Sequence, residues 1–340
     1  MTIILNRCPA TLKAGFNTYS PAALRKLFDG KKVSHFLDFE SPKKNETTQA
    51  LFLESRQRLS ISGVQEKIGL LLDKDQLRLV QPNEIARFIL KPIPDDLLFA
   101  SQVPANEHLT MQLASQIFGI QTAHNAMIFF QDDVPAYLTK RFDFKTDGKK
   151  YAVEDFATLA NKSRANAGID FKYEGSCEKL FLLLRQYVGA YLIEAQKLFR
   201  LILFNYVFSN GDAHLKNFSL IESDGGDYVL SPAYDLICSR LHVNDSDIAL
   251  KDGLFEDDFE TESFKANGFY AYDDFKALGK KVGLPEKVVE KEINIFQNSS
   301  QKVKDLIVLS FLSPEFQTKY SMLFEDKLQR LNYSFQKNNS

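Results

Sequence analysis

Asp212, Asn217 and Asp235 are residues whose types and spacing point to chemistry. Asp212 and Asn217 lie five residues apart in the stretch "SNGDAHLKN" (209–217), and Asp235 follows further along the chain. A carboxylate can orient or deprotonate an acceptor hydroxyl, while an amide oxygen and a second carboxylate can hold a magnesium ion. These three residues therefore predict a phosphoryl-transfer site, with Asp212 as the base and Asn217 and Asp235 as the metal ligands.

The segment between Asn217 and Asp235 supports this interpretation. Two short strand-like stretches, "FSLIE" and "DYVLS", surround the turn "SDGGD" and predict a hairpin. Protein kinases have the same order: an Asp, an Asn five residues later, a hairpin and a metal-binding Asp. Alone, Asp212 would be read as a turn residue and Asp235 as a cap. In combination they favour catalysis.

His214 and Lys216 lie inside the same loop, and each has two interpretations. His214 either carries a proton or holds the loop through its imidazole. The second is favoured because Asp212 already fills the role of base. Lys216 either reaches the transferred phosphoryl group or faces solvent, and the sequence does not choose between these.

A lysine in the first half of the chain completes the set. Lys91 ends the apolar segment "RFILK", so we expect its strand to be buried and its ammonium to need a partner. In kinases such a strand lysine holds nucleotide phosphates and pairs with a helix glutamate. Glu107, at the start of the next predicted helix, is the nearest candidate. Alternatively, Glu107 is there because acidic residues stabilise the first turn of a helix.

Two further stretches are predicted to contact a nucleotide. "YAVEDFATLA" (151–160) lies where a hinge would bind adenine, and Glu154 and Phe156 are assigned there by position alone. "LSISGVQEKIGLLL" (59–72) is an unusual strand entry and is interpreted as a loop over the phosphates, with backbone N–H groups facing them. The alternative is that its serines are ordinary turn residues. The residues assigned to this loop are Ser62, Gly63, Val64, Gln65 and Lys67.

The elements that position these residues change character along the chain. Strands are predicted at 67–72, 76–80, 87–91, 126–130 and 136–143, and helices at 19–30 and 106–119. From residue 154 onward the pattern is mostly helical, with a long apolar stretch at 178–212 that breaks near Gly189 and a helical region at 273–336. The sequence therefore predicts an α+β protein with a β-rich lobe (1–153), a helical lobe (154–340) and an active site in the cleft between them.

Composition excludes several classes of function. The net charge of −2 and the lack of a Lys/Arg-rich stripe argue against direct nucleic-acid binding. Three widely spaced cysteines without a CxxC pair argue against a structural zinc site and fit a reducing cytoplasm. A run of about 18 apolar residues, which a membrane span needs, does not occur. The apolar stretch at the start of the sequence is too short for a signal peptide. We therefore expect a cytoplasmic protein that does not contact membranes.

The motifs "SISGVQEKIGLLL", "FILKP", "NEHLTMQLA", "KRFDF", "VEDFATL", "NGDAHLKNFSL" and "LSPAYDLI" together resemble the HipA family of serine/threonine protein kinases, the toxins of bacterial toxin–antitoxin systems. The resemblance covers roughly residues 1 to 310 and implies a bilobal, protein-kinase-like fold that uses ATP and Mg²⁺. It implies that Asp212 is the catalytic base, that Asn217 and Asp235 bind magnesium, and that Lys91 binds nucleotide phosphates.

The resemblance also implies regulation, partners and a target. In the family a serine of the phosphate loop is autophosphorylated and switches the kinase off, which here points to Ser60 or Ser62. The matching region begins at residue 7, so we expect the chain to lack the N-terminal subdomain of full-length HipA proteins and to resemble the short HipT-type toxins. The implied partners are a small antitoxin that resembles the missing subdomain and a DNA-binding antitoxin of the same operon. The implied substrate is an aminoacyl-tRNA synthetase.

Two other functions remain open at the level of sequence. Kinase-like folds also phosphorylate small molecules, and a pseudokinase would only bind a partner. The complete set of Lys91, Asp212, Asn217 and Asp235 argues against the pseudokinase.

Overall fold

The computed structural model describes residues 4–42 and 66–338, which divide into two compact units. The first unit draws on Met1–Gln112, Ala123–Phe142 and Asp305–Gln317, and the second on Leu113–Thr122, Asp143–Lys304 and Thr318–Ser340. A single boundary after residue 153 would therefore place three short segments, 113–122, 143–153 and 305–317, in the opposite unit.

The strands within the described residues are β1 (Ile68–Asp73), β2 (Gln76–Leu79), β3 (Phe88–Lys91), β4 (Asn125–Phe129), β5 (Pro135–Lys140), β6 (Val153–Asp155), β7 (Ser219–Glu222) and β8 (Tyr228–Leu230). The helices are α1 (Pro21–Phe28), α2 (Val103–Gln116), α3 (Phe156–Leu159), α4 (Arg164–Ala167), α5 (Cys177–Tyr187), α6 (Tyr191–Val207), α7 (Glu262–Asn267), α8 (Tyr272–Lys281), α9 (Glu286–Gln297), α10 (Ser300–Val308), α11 (Pro314–Asn332) and α12 (Phe335–Asn338). Short 3₁₀ turns occur at Ala100–Gln102, Phe171–Tyr173, Leu215–Asn217 and Ser239–Leu241.

The first unit is built on an antiparallel sheet of five strands in the order β2-β1-β3-β5-β4. The strands confirm the positions predicted from apolar patterning to within three residues. Leu70, Leu90 and Leu138 are buried in one core with Leu27 and Phe28 of α1. The sheet fixes Lys91 opposite Tyr137 at the end of β3.

The two predicted helices of the first half have recognisable start signals. Within the segment 19–30 that is predicted to be helical, α1 begins at Pro21, because the Ala23 N–H donates to the Ser20 hydroxyl (3.3 Å) and proline suits the first helical position. α2 begins three residues before the predicted start, at Val103. The reason is Pro104, whose fixed φ suits a first helical turn and whose missing N–H would be unpaired there anyway.

The second unit contains helices of very different burial and a small sheet. The predicted break near Gly189 is confirmed, because α5 ends at Tyr187 and α6 starts at Tyr191. From Leu201 to Val207 every residue of α6 is buried, and all but Asn205 are apolar or aromatic, which marks this part as a central helix. None of the helices among the described residues has both the length and the apolar character that a membrane span requires.

The small sheet of the second unit has the order β6-β7-β8. The predicted hairpin is confirmed as β7 and β8, which pair antiparallel. Strand β6 was not predicted, since its three residues are too few to show a period. It pairs antiparallel with β7 and is an edge strand of this sheet.

Candidate active site

The loop that carries Asp212 starts where the buried helix α6 ends. Ser209 has a positive φ of 50°, which turns the chain sharply after the helix. Gly211 follows, and a Cβ at this position would lie 2.6 Å from the Ser246 carbonyl oxygen and even closer to the Asp245 carboxyl group. Only glycine fits there, so the Asn-Gly-Asp sequence reflects close packing and not merely a turn preference.

Hydrogen bonds hold the loop from both ends. The Gly211 N–H donates to the Ser239 hydroxyl at 2.8 Å, and that hydroxyl donates to the Ser209 carbonyl at 3.0 Å. At the other end, the His214 N–H donates to the Asn217 side-chain oxygen at 3.1 Å and to the Asp212 carbonyl at 2.8 Å. The loop is therefore fixed before any ligand binds.

Asp212 is the accessible group of this loop. Its side chain is 53% exposed, and its Oδ1 accepts a hydrogen bond of 2.6 Å from the Tyr173 hydroxyl. The same Oδ1 lies 3.9 Å from Nε2 of His214. An exposed, oriented carboxylate is what a general base for an incoming hydroxyl requires.

His214 is buried beside Asp212. Burial lowers the pKa of its imidazole to about 4, although the neighbouring Asp212 carboxylate acts in the opposite direction. The ring is therefore neutral near pH 7, and it packs edge-on against Tyr173 with 5.2 Å between ring centroids. This environment favours the interpretation that His214 holds the loop.

Tyr234, the residue before Asp235, contacts the chain on both sides of Asn217. Its hydroxyl donates to the Lys216 carbonyl, next to Asn217, at 2.8 Å, and lies 2.6 Å from the Ser219 hydroxyl. Asp235, the next residue, has a positive φ of 55°, a conformation that Asp tolerates better than most residues. The Tyr234 hydroxyl thus links the residue before Asp235 to the two neighbours of the segment Asn217–Phe218.

The donor set fits magnesium. Mg²⁺ prefers oxygen ligands and is usually held by one or two protein groups together with substrate phosphates and water. Asn217 and Asp235 supply one amide and one carboxyl oxygen donor group. Within residues 4–42 and 66–338 no cluster of three or more His, Cys, Asp or Glu side chains is arranged to hold a metal.

Lys216 contacts a residue that the sequence did not single out. Its ammonium lies 3.3 Å from the Asp155 carboxylate, and both side chains are partly buried. Asp155 also caps α3, because its Oδ1 accepts the Thr158 N–H at 2.9 Å. One carboxylate therefore connects β6 and α3 to the residue preceding Asn217. Lys216 is ion-paired, which neither of its two predicted roles included.

The predicted adenine residues lie on β6 and at its end. Glu154 is paired opposite Leu220, and the Phe156 N–H donates to the Phe218 carbonyl at 3.0 Å. Along an antiparallel strand, alternate residues hydrogen-bond to the partner strand, and the residues between them point their N–H and C=O groups away from it. Val153 and Asp155 therefore present the outer edge of β6. The assignment of Glu154 and Phe156 to adenine stays a prediction.

Lys91 and Glu107, in the first unit, form the predicted ion pair. The Lys91 ammonium donates to Glu107 Oε1 at 2.5 Å, with side-chain exposures of 3% and 2%. The ammonium also lies 5.4 Å from the centre of the Tyr137 ring, a cation–π distance. Lys67 is half-buried directly before β1. The remaining predicted loop residues, Ser60, Ser62, Gly63, Val64 and Gln65, lie outside the described residues.

Tyr173 and Asp155 are the site residues that sequence reasoning missed. Asp155 carried a usable signal, since an Asp immediately before a short apolar run is typical of a helix cap. Tyr173 carried none. It lies 39 residues before Asp212, and only the folded chain brings the two side chains together.

Comparisons with known proteins support the same interpretation. A model of the HipA-like C-terminal domain matches residues 59–303. A Haemophilus influenzae protein named "Putative kinase" is 27% identical over 326 residues, covering 91% of this chain and 92% of its own. A Sinorhizobium fredii protein, "Putative kinase Y4mE", is 31% identical over 189 residues, covering 53% of this chain and 42% of its own.

Two solved structures share the fold. HipA from the Shewanella oneidensis toxin–antitoxin complex with HipB and operator DNA has a TM-score of 0.61 and 22% identity, covering 81% of this chain and 65% of that one. The Helicobacter pylori proinflammatory kinase CtkA has a TM-score of 0.53 and 12% identity, covering 81% and 91%. The predicted α+β, protein-kinase-like fold is confirmed. The family resemblance is confirmed as well, and the chain belongs to the family of proteins with a HipA-like C-terminal domain.

Proposed function

We propose that this chain is an ATP- and Mg²⁺-dependent protein kinase that phosphorylates serine or threonine. The observation that carries the proposal is the exposed Asp212 carboxylate on a fixed loop, five residues before Asn217. The kinase names of its relatives support it. Seryl and threonyl hydroxyls are neutral nucleophiles, and a nearby base makes them more reactive.

In the proposed reaction the acceptor hydroxyl oxygen forms a bond to the γ-phosphorus of ATP. The bond from that phosphorus to the β,γ-bridging oxygen breaks, and ADP leaves. Asp212 takes the hydroxyl proton, and His214, neutral and buried, keeps the loop in place. The reaction needs little covalent chemistry from the protein, so catalysis depends on positioning and on electrostatic stabilisation.

The remaining roles are assigned residue by residue. Asn217 and Asp235 hold Mg²⁺, which neutralises phosphate charge. Lys91, oriented by Glu107, binds the nucleotide phosphates. We assign adenine to the backbone around Glu154 and Phe156, and add the outer edge of β6 at Val153 and Asp155 as a second place where backbone groups can contact the base.

We further propose that the chain is a toxin that arrests growth by phosphorylating an aminoacyl-tRNA synthetase, and that phosphorylation of Ser60 or Ser62 switches it off. A structural relative was solved with HipB and operator DNA, which supports a DNA-binding antitoxin as a partner here. A small antitoxin resembling the N-terminal subdomain of longer HipA proteins is the second proposed partner.

Incubation of the purified chain with γ-labelled ATP, Mg²⁺ and a bacterial lysate tests the kinase proposal. Label in a protein band that disappears on chelation of magnesium is the expected result. Label only in small molecules would identify a small-molecule kinase. An absence of transfer to any acceptor, with ATP still bound, would identify a pseudokinase. Mass spectrometry of the labelled band then names the target and tests Ser60 and Ser62.

A further inference from the structure

Tyr173 makes the one side-chain hydrogen bond that Asp212 receives from a described residue. Its hydroxyl donates to Oδ1 of the carboxylate at 2.6 Å, the usual length of a hydrogen bond from a hydroxyl to a charged carboxylate. Tyr173 ends the 3₁₀ turn Phe171–Tyr173 and belongs to no sequence motif of the loop. Tyr173 is therefore an additional residue beside those already assigned to catalysis.

The turn that carries Tyr173 is held on several sides. The Tyr173 N–H donates to the Asp170 carbonyl at 2.9 Å, and the Tyr173 carbonyl accepts the Lys251 N–H at 2.8 Å. The next side chain, Glu174, is paired with Lys162 at 3.1 Å. The ring itself packs edge-on against His214. A hydroxyl on such a support has a defined position and can orient the group that it contacts.

The two oxygens of the Asp212 carboxylate are in different situations. Oδ1 faces both the Tyr173 hydroxyl, at 2.6 Å, and Nε2 of His214, at 3.9 Å. From the part of the chain that the structure describes, no hydrogen bond reaches Oδ2. A carboxylate held through one oxygen leaves the other for the proton of an acceptor hydroxyl, as an oriented general base requires.

We propose that Tyr173 is a positioning residue of the kinase, which holds Asp212 through Oδ1 so that Oδ2 receives the proton of the acceptor hydroxyl. The inference rests on the proposed role of Asp212 as the base. It is incompatible with a different use of the same contact, in which the Tyr173 hydroxyl would occupy the place of the acceptor and inhibit the enzyme.

The variant Tyr173→Phe removes one oxygen and keeps the ring against His214. Loss of a hydrogen bond to a charged group corresponds to a fall in kcat of roughly tenfold to a hundredfold. We expect the KM for ATP to stay unchanged, because Tyr173 contacts the base and not the residues assigned to the nucleotide. An unchanged kcat, or a higher one, would overturn the proposal, and the higher one would point to inhibition.

Tyr191→Phe is a control in the same unit, outside the residues assigned to the site. The Tyr191 hydroxyl donates to the Val282 carbonyl at 2.6 Å, so this variant loses the same donor group at the same distance, at the start of α6. We expect its kcat to stay within about twofold of the wild type, since the lost bond joins two residues that are assigned neither to catalysis nor to the nucleotide. An equal fall in both variants would show that the loss at Tyr173 is a general structural effect and would also overturn the proposal.

A titration that does not measure activity tests the Tyr173–Asp212 contact separately from the proposed kinase function. Burial and then the Asp212 carboxylate raise the pKa of the Tyr173 phenol. The variant Asp212→Asn leaves Tyr173 in place, and we expect its tyrosinate absorbance to develop at lower pH than in the wild type, with Tyr173→Phe as the blank. An unshifted titration would show that the contact is not made. A shifted titration in a chain that transfers no phosphate would contradict the proposed function and, with it, the positioning role.

Discussion

Lys91 and Asp212 are both assigned to phosphoryl transfer, yet their side chains are in opposite environments. Lys91 is 3% exposed and bonded to an equally buried Glu107, whereas Asp212 is 53% exposed and, among the described residues, lies beside the neutral side chains of Tyr173 and His214. A buried charge needs a partner because removal from water costs several kcal/mol per ion. An exposed charge needs none and stays open to an incoming group.

This difference matches the two tasks. A lysine that binds phosphates must stay in one place for every nucleotide, and a buried ion pair provides that. A base must meet a new acceptor hydroxyl in every cycle, so its carboxylate has to be reachable. We therefore expect changes at Glu107 to affect stability first, and changes at Asp212 to affect catalysis with little effect on stability.

The largest expected effect is on growth arrest. Asp212→Ala removes the proposed base and Asp235→Ala removes a proposed magnesium ligand, so each should abolish the proposed toxicity when the chain is expressed in bacteria. Asp224→Ala, at an exposed carboxylate that also accepts a tyrosine hydroxyl, is the control and should remain toxic. Colony counts and expression levels measure the result. Full growth arrest by Asp212→Ala at normal expression would contradict the kinase account.

The next effect is on stability. Glu107→Gln removes the carboxylate that is ion-paired with the buried Lys91 ammonium, and removal of one partner of a buried pair costs about 3–5 kcal/mol. Chemical denaturation measures the free energy of unfolding. Glu84→Gln is the control, because its ion pair with Arg78 at 2.6 Å is similarly short but has side chains that are 31% and 34% exposed. A loss no greater for Glu107→Gln than for Glu84→Gln would show that the Lys91 pair is not as buried as described.

Burial of a titratable group also makes the free energy of unfolding depend on pH. Burial lowers the pKa of His108 to about 4, while an unfolded histidine titrates near 6.5. The unfolded state therefore binds more protons between these values, and stability falls as the pH drops from about 6.5 to about 4. The slope is at most about 1.4 kcal/mol per pH unit for one group.

His108→Gln should flatten this dependence, because glutamine does not titrate and can still reach the Ala10 carbonyl that His108 Nε2 contacts at 3.2 Å. Denaturation at a series of pH values measures the slope. His35→Gln, at a half-buried histidine, should change the slope less. Equal slopes in the wild type and in His108→Gln would contradict the assignment.

The smallest effect is expected at the pair of Lys216 and Asp155. Asp155→Asn keeps the helix cap and removes the charge, and a partly exposed ion pair at 3.3 Å contributes about 1 kcal/mol or less. Phosphotransfer should fall only a few-fold in Asp155→Asn and in Lys216→Gln alike. A loss of a hundredfold in Lys216→Gln alone would instead assign Lys216 to the transferred phosphoryl group.

Much of this fold could be predicted because its signals are local. The turn residues around β1 to β3 and the apolar spacing of α6 are visible in short windows of sequence. The pair of Lys91 and Glu107 could also be predicted, since a lysine at the end of an apolar strand needs a partner. These predictions depend on the types of neighbouring residues, which the sequence shows directly.

The features that could not be predicted depend on contacts between residues that are far apart in the sequence. Strand β6 has three residues and forms because β7 offers it a partner. Tyr173 meets Asp212 only through the path of the chain between them, and Lys216 meets Asp155 across a separation of 61 positions. Sequence reasoning found the residues that carry the proposed chemistry and missed the side chains that hold them in place.

The most direct test of the central claim is single-turnover phosphotransfer by Asp212→Asn at saturating ATP, with Asp224→Asn as the control. A general base contributes typically 10²- to 10⁴-fold, so we expect a loss of that order in Asp212→Asn, with ATP affinity and unfolding free energy near the wild-type values. Asp224→Asn should transfer phosphate at the wild-type rate. Transfer by Asp212→Asn at the same rate as the control would contradict the assignment of Asp212 as the base.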